Sequence, residues 1–218
     1  MTQHLRTEGA RPSSGALEAV RSWPSEAARA WTLDVVEHAA TDETIEALVA
    51  SGSAVREVAI SDDLDLVLVY RRDRPQLPRP PIDVDLREYD EDDVPRKLAA
   101  GHDYLSWTVR FGHALFERDA WWTRLWMQWN GRLALPSSSE ARKRAHKTKH
   151  QYEAMLAVGD GDAATELRVS MLTHLARAAL SDCGKFPQSR PELAGQLRTI
   201  GERELADRLD EALAQRRG

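Results

Sequence analysis

Asp63 and Asp65 stand two residues apart at the head of an apolar run, Leu64 to Tyr70, within the segment GSAVREVAISDDLDLVLVY. Aspartate is a poor strand former, and residues two apart on a strand project from the same face, so the pair repels unless a cation neutralises it. Magnesium does this with one or two carboxylates and keeps coordination positions for water and phosphate oxygens. A second pair, Asp83 and Asp85, follows in PIDVDLREY. If the two strands are neighbours, up to four carboxylates converge, and two metal ions about 4 Å apart could clamp an in-line displacement at phosphorus. Just upstream, Gly52-Ser53 reads as a turn between a strand and a short helix, a junction whose backbone N–H groups suit a phosphate. A phosphate cradle is therefore followed by a metal site.

Those residues need elements to hold them. Ser25 is placed to cap a helix that runs through Trp31, Val35 and Val36 to about Ala40. Ile45 to Ala50 reads as a strand closed by Ser51-Gly52-Ser53, and Leu64 to Tyr70 as a second strand. Arg71 to Pro80 carries three prolines and reads as a loop. Pro81 to Tyr89 alternates, with Ile82, Val84 and Leu86 on one side and Asp83, Asp85 and Arg87 on the other, which predicts a third strand with one apolar face. His113 to Glu117 offers a short fourth strand. From Asp119, proposed as a helix cap, the spacing is helical: Trp121 to Trp129, then a helix to about Val158, a turn at GDGD, a helix over Ala163–Leu180 and a last helix with Leu205, Leu209, Ala212 and Leu213 on one face. The expectation is an α/β (α+β) chain: a flexible tail over 1–22, a small mixed sheet with flanking helices over 23–118, and an antiparallel helical bundle over 119–218.

Composition narrows the class. The chain has 218 residues with 42% hydrophobic content, enough for a substantial core. A net charge of −5 gives no global sign of nucleic-acid or membrane binding, and no apolar run nears the ~20 residues of a membrane span. The single cysteine excludes an internal disulfide, and residues 1–22 hold no apolar run of a secretory signal, so a cytoplasmic location is expected. Seven scattered histidines give no zinc spacing.

Gly52-Ser53, nine residues, Asp63-Leu64-Asp65-Leu66 and a later strand bearing aspartate together resemble the nucleotidyltransferase superfamily of the DNA polymerase beta type. The likeness is to its small prokaryotic members, the minimal and aminoglycoside nucleotidyltransferases, which often carry a helical bundle, sometimes of the HEPN type. The resemblance implies that Gly52 and Ser53, with Arg56 behind them, hold the triphosphate of ATP or another nucleotide. It implies that Asp63 and Asp65 bind two Mg2+ ions, and that a third carboxylate binds one ion and assists deprotonation of an acceptor hydroxyl. Asp85 is the choice for that carboxylate, and Asp83 also fits. The implied reaction transfers a nucleoside monophosphate, AMP from ATP, to a hydroxyl on a small molecule, an RNA or a protein. The competing class is a catalytically weak or inactive interaction protein, antitoxin-like, that binds its partner through the helical half. Either class is compatible with a homo-oligomer.

Other residues were weighed in the same way. Arg168 falls in the apolar arc of its helix, which calls for a carboxylate partner such as Glu166 or one on a neighbouring helix, or else for a cleft where it meets phosphate or substrate. Arg168 and His174 have the spacing of HEPN ribonucleases, but six residues apart on a straight helix are about 120° out of phase. Ala141 to His150 is the one dense basic segment, and most such segments are solvated helix faces. The tryptophans from Trp121 to Trp129 read as packing residues rather than a base-stacking platform.

Overall fold

The computed structural model describes residues 17–56 and 61–217; the tail expected over 1–22 lies largely outside them. Two compact units divide at Leu133 and Ala134. The first holds α1 (Glu26–Thr41), β1 (Ile45–Ser51), β2 (Leu64–Tyr70), β3 (Val84–Asp90), α2 (Asp93–Ala99), α3 (Asp103–Phe111), β4 (His113–Glu117) and α4 (Trp121–Trp129). The second holds α5 (Ser138–Val158), α6 (Gly161–Asp182), α7 (Leu193–Thr199) and α8 (Arg203–Arg217). This is the expected α+β class, with helices in the majority.

In the first unit the sheet order is β3-β2-β1-β4. β1 runs antiparallel to β2 and β4, while β2 and β3 are parallel, so the sheet is mixed as the sequence predicts. Strand alternation sorts its residues into two cores. Leu48, Leu64, Leu66 and Leu68 pack with Trp31, Val35 and Val36 of α1. Ala47, Val49, Val67 and Val69 pack with Val94 and Leu98 of α2, Leu105 and Val109 of α3, and Trp122 and Leu125 of α4. α4 thus belongs to the sheet unit, fifteen residues past the division expected near 118, because its tryptophan and leucine complete the second of these cores.

Ser25 caps α1 as predicted, its hydroxyl accepting Ala28 N–H at 3.0 Å. The proline-bearing segment after β2 supplies the crossover that parallel strands require. It is pinned where the Trp31 indole donates to Pro78 O at 3.2 Å. β3 begins three residues later than expected: Val84 N–H closes a turn on Pro81 O at 3.1 Å, and Ile82 points fully into solvent rather than joining an apolar face. Asp119 does not cap α4. It and Ala120 have positive φ, and the Glu117 carboxylate takes the capping role by accepting from Thr123 N–H at 2.9 Å and Thr123 Oγ1 at 2.7 Å.

The second unit starts with a helical hairpin. Along α5 the least exposed residues are Ser138, Ala141, Ala145, Thr148, Tyr152 and Met155, a 3.5-residue seam. Gly159 ends the helix at φ 79°, and Asp160 opens α6 by accepting Ala163 N–H at 3.0 Å. Val169, Leu172 and Ala176 of α6 then pack with Leu197 of α7 and with Leu209 and Ala212 of α8.

One side chain ties the sheet to α1. The Arg118 guanidinium donates to Ile45 O at 3.1 Å, to Ala39 O at 2.8 Å and to Asp42 O at 3.0 Å, satisfying carbonyls at the end of α1 and the start of β1. Arg118→Met should lower the unfolding free energy by about 1–3 kcal/mol in urea titrations. Arg118→Lys should recover little, since one ammonium cannot reach three divergent carbonyls.

Candidate active site

β1 ends at Ser51, and the chain turns at Gly52 with φ 76° into a single 3-10 turn, Ser53–Val55. Glycine is required there twice over. The positive φ strains any side chain, and a Cβ would lie 2.1 Å from Asp65 Oδ2. The turn is therefore packed directly on a carboxylate that comes from the neighbouring strand. Register explains the meeting: Ser51 pairs with Asp65 across β1 and β2, and Asp65 pairs with Asp85 across β2 and β3. One row across three strands thus carries a serine and two aspartates.

Asp63 precedes β2 and is fixed through its backbone. Its carbonyl accepts the Ser61 hydroxyl at 2.6 Å, and Ser61 Oγ lies 2.7 Å from Ser53 Oγ. The serine of the turn and the entrance to the aspartate strand are thereby joined through Ser61. That residue stood in plain view beside Asp62 and carried no spacing that marked it.

Two further side chains complete the pocket. Tyr104 of α3 donates to Asp65 Oδ1 at 3.4 Å, and its oxygen lies 3.5 Å from Ser51 Oγ. Arg87 of β3 holds Asp85 Oδ2 through Nε at 3.1 Å and Nη2 at 2.8 Å, with its guanidinium 3.8 Å from the centre of the Tyr104 ring. Arg87 was legible as a residue on the Asp85 side of an alternating strand. Tyr104 lies 39 residues from Asp65, and nothing in local spacing marks it.

The electrostatics follow from this crowding. Burial first, and then the charges of Asp63 and Asp85, push the Asp65 carboxyl up to about 6 against the pull of Arg87 and of the Tyr104 hydroxyl. Burial and the charge of Asp65 raise Tyr104 as well, so its hydroxyl stays protonated as a donor. Among the described residues, Asp63 and Asp85 crowd Asp65 with negative charge that Arg87 offsets in part.

The remaining sequence candidates are placed as follows. Asp83 lies in the turn before β3, with its carbonyl accepting Leu64 N–H at 2.8 Å. Arg56 closes the 3-10 turn, its N–H on Ser53 O at 3.0 Å and its guanidinium 4.7 Å from the Phe111 ring centre. Arg168 in the helical unit donates to Gln215 Oε1 at 2.6 Å and to Glu211 Oε2 at 2.8 Å. The acidic partner is thus on α8 rather than Glu166, which instead accepts from Arg216 at 2.5 Å. His174 is half-buried, and burial followed by the charges of Arg177, Arg144 and Arg190 lowers it to about 4.

The donor set is chemically suited to a hard divalent cation: carboxylate oxygens that repel one another beside a glycine turn. Among the described residues no three or more acidic, histidine or cysteine side chains are gathered closely enough to enclose a metal unaided. Magnesium sites of this kind use one or two carboxylates and complete the shell with substrate phosphate oxygens, so Asp63 and Asp65 fit such an ion. Both Arg87 bonds go to Asp85 Oδ2, so a third ligand could come from the other Asp85 oxygen with Arg87 in place.

No protein-family model and no curated protein matches the chain. Among solved structures, a nucleotidyltransferase-like protein from Exiguobacterium sibiricum 255-15 is similar at 18% identity and a TM-score of 0.36, over 85% of this chain and 71% of that one.

The raised Asp65 value fixes a pH dependence. Between the ordinary 3.8 and about 6 the folded chain keeps a proton that the unfolded chain has lost. That contribution to stability is complete below about pH 4 and is gone once the pH has risen through about 6, where ionised Asp65 costs on the order of 1–3 kcal/mol. Asp65→Asn should therefore raise the urea midpoint at pH 7.5 and change it little at pH 4.

Proposed function

We propose that the protein is a metal-dependent nucleotidyltransferase of the DNA polymerase beta type, which transfers a nucleoside monophosphate, AMP from ATP, to an acceptor hydroxyl. The observation that supports this reading most is the contact between the Gly52 turn and Asp65, since it puts a phosphate-sized backbone turn against the carboxylate cluster. A surface strand with solvated aspartates would need no such packing.

The chain's own groups divide the work. Gly52 and Ser53 lie against the triphosphate, with Arg56 beside them as a cation. Asp63 and Asp65 hold magnesium, whose charge when bound offsets the negative charge that builds on the phosphoryl oxygens. Asp85 would supply a ligand for a second ion. The acceptor oxygen forms a bond to the α-phosphorus as the bond to the bridging oxygen breaks. Pyrophosphate leaves with that electron pair, and the hydroxyl proton passes to a carboxylate, for which Asp85 is the assigned residue. Tyr104 keeps one Asp65 oxygen oriented, and the guanidinium of Arg87 remains on the Tyr104 ring.

A second reading, a catalytically inactive interaction protein that is antitoxin-like and uses its helical unit, draws on the Arg87–Asp85 ion pair, in which a side chain already occupies one carboxylate. Calorimetric titration with ATP, with and without Mg2+, separates the two. The enzyme reading expects binding that depends on Mg2+ and weakens at least about tenfold in Asp63→Asn, Asp65→Asn and Gly52→Ala, the last because a methyl group has no room beside Asp65. No binding of ATP or any other nucleoside triphosphate by the folded wild-type chain would favour the interaction protein.

A further inference from the structure

The basic segment of α5 is not used by the site above, and its placement is informative. Residues 141–150 hold five Lys and Arg, two His and no acid. The two units differ in charge: residues 1–133 carry 16 Lys and Arg against 23 Asp and Glu, whereas residues 134–218 carry 14 against 12. A third or more of the second unit's cations are thus concentrated on three turns of one helix.

The helix turns about 100° per residue, so buried Ala145 and Thr148 define its inward side. Arg142, His146 and His150 form one row on the opposite side, with Lys143 and Lys147 in the row beside it, and all five are exposed. The imidazoles of His146 and His150 meet edge to face at 4.5 Å. Acids paired with the segment include Glu140 on Lys143, Asp182 on Arg142, and Glu153 on Lys149 and His150. These are exposed pairs, individually worth about 0–1 kcal/mol, which a phosphate can replace.

We infer that this outward face of α5 is a docking surface for base-paired RNA. A dense row of cations fits a polyanion of regular charge better than a protein, because protein interfaces favour aromatic residues and exclude lysine from their centres. Membrane docking needs apolar anchors on the exposed side, and this stretch has none. Single strands are held by stacking on Trp, Tyr or Phe, which residues 141–150 lack, and the His146 and His150 rings already meet one another, so the contacts fall on the backbone of a duplex. An imidazole N–H can donate to the ribose 2′-hydroxyl that distinguishes RNA from DNA. This surface goes beyond the nucleotide reading and stands without it.

Fluorescence anisotropy of the full chain with a labelled 20-base-pair RNA hairpin, free of nucleotide and Mg2+, tests the inference. Binding should weaken steeply with salt. The triple variant Lys143→Gln, Lys147→Gln, Lys149→Gln should lose more than about tenfold in affinity at low salt and flatten the log–log salt slope by about 2–3. The single variant Lys147→Glu, checked for folding by circular dichroism, should move the same way by about one slope unit. Mg2+-dependent ATP binding by the triple variant should be unchanged, so a failure of this surface is distinguishable from a failure of the nucleotide site. Absence of salt-dependent RNA binding, a triple variant that binds as wild type, or equally tight binding of a DNA duplex or of polyglutamate would overturn the assignment.

Discussion

The Asp65 carboxylate has too little room and too much negative charge around it, and the first unit is arranged about that constraint. The turn that follows the neighbouring strand must hold a residue without a side chain, because Asp65 Oδ2 occupies the space a Cβ on Gly52 would take. The neighbouring charges, Asp63 and Asp85, raise the energy of ionising it. A position that is unfavourable both sterically and electrostatically persists in a fold when the surrounding elements over-determine it. Here they do: β1 and β3 flank β2 in register, and Tyr104 and Arg87 lean on the row from α3 and from the edge strand.

The rest of the sheet unit holds that row in place. Leucines on one side of β2 lock it to α1, and valines on the other lock it to α2, α3 and α4, so β2 cannot slip by one residue without turning its aspartate row into an apolar core. Arg118 fastens the far end of the sheet to α1. Ser61 links the glycine turn to the start of β2 through hydroxyl bonds.

Much of this was legible in the residues, for reasons that are local. The Ser25 cap, the apolar runs of β1 and β2 and the short β4 each carry their pattern within a few positions. What was misread depended on competition from elsewhere. Alternation continues backwards through Ile82, yet the Pro81 turn ends the strand at Val84. Asp119 is a good cap by type, but the Glu117 carboxylate reaches the α4 amide first. Helical spacing identifies α4 and does not say which core receives Trp122. Arg168 has its carboxylate on a neighbouring helix, one of the partners expected for it, whereas Tyr104 reaching Asp65 from α3 went unseen because no spacing rule spans such an interval.

Arg87 gives the pocket its particular character. By pairing with Asp85 it offsets part of the negative charge beside Asp65, where the charge of Asp63 still raises the cost of ionisation and an added cation would act. The direct measurement is a 13C NMR titration of the Asp65 side-chain carboxyl, run without and then with Mg2+. A titration near pH 6 without the ion, falling below the usual aspartate range when Mg2+ is added, is the predicted result. A midpoint close to the ordinary 3.8 in both conditions would contradict the account, because the carboxylates would then neither crowd one another nor share a cation.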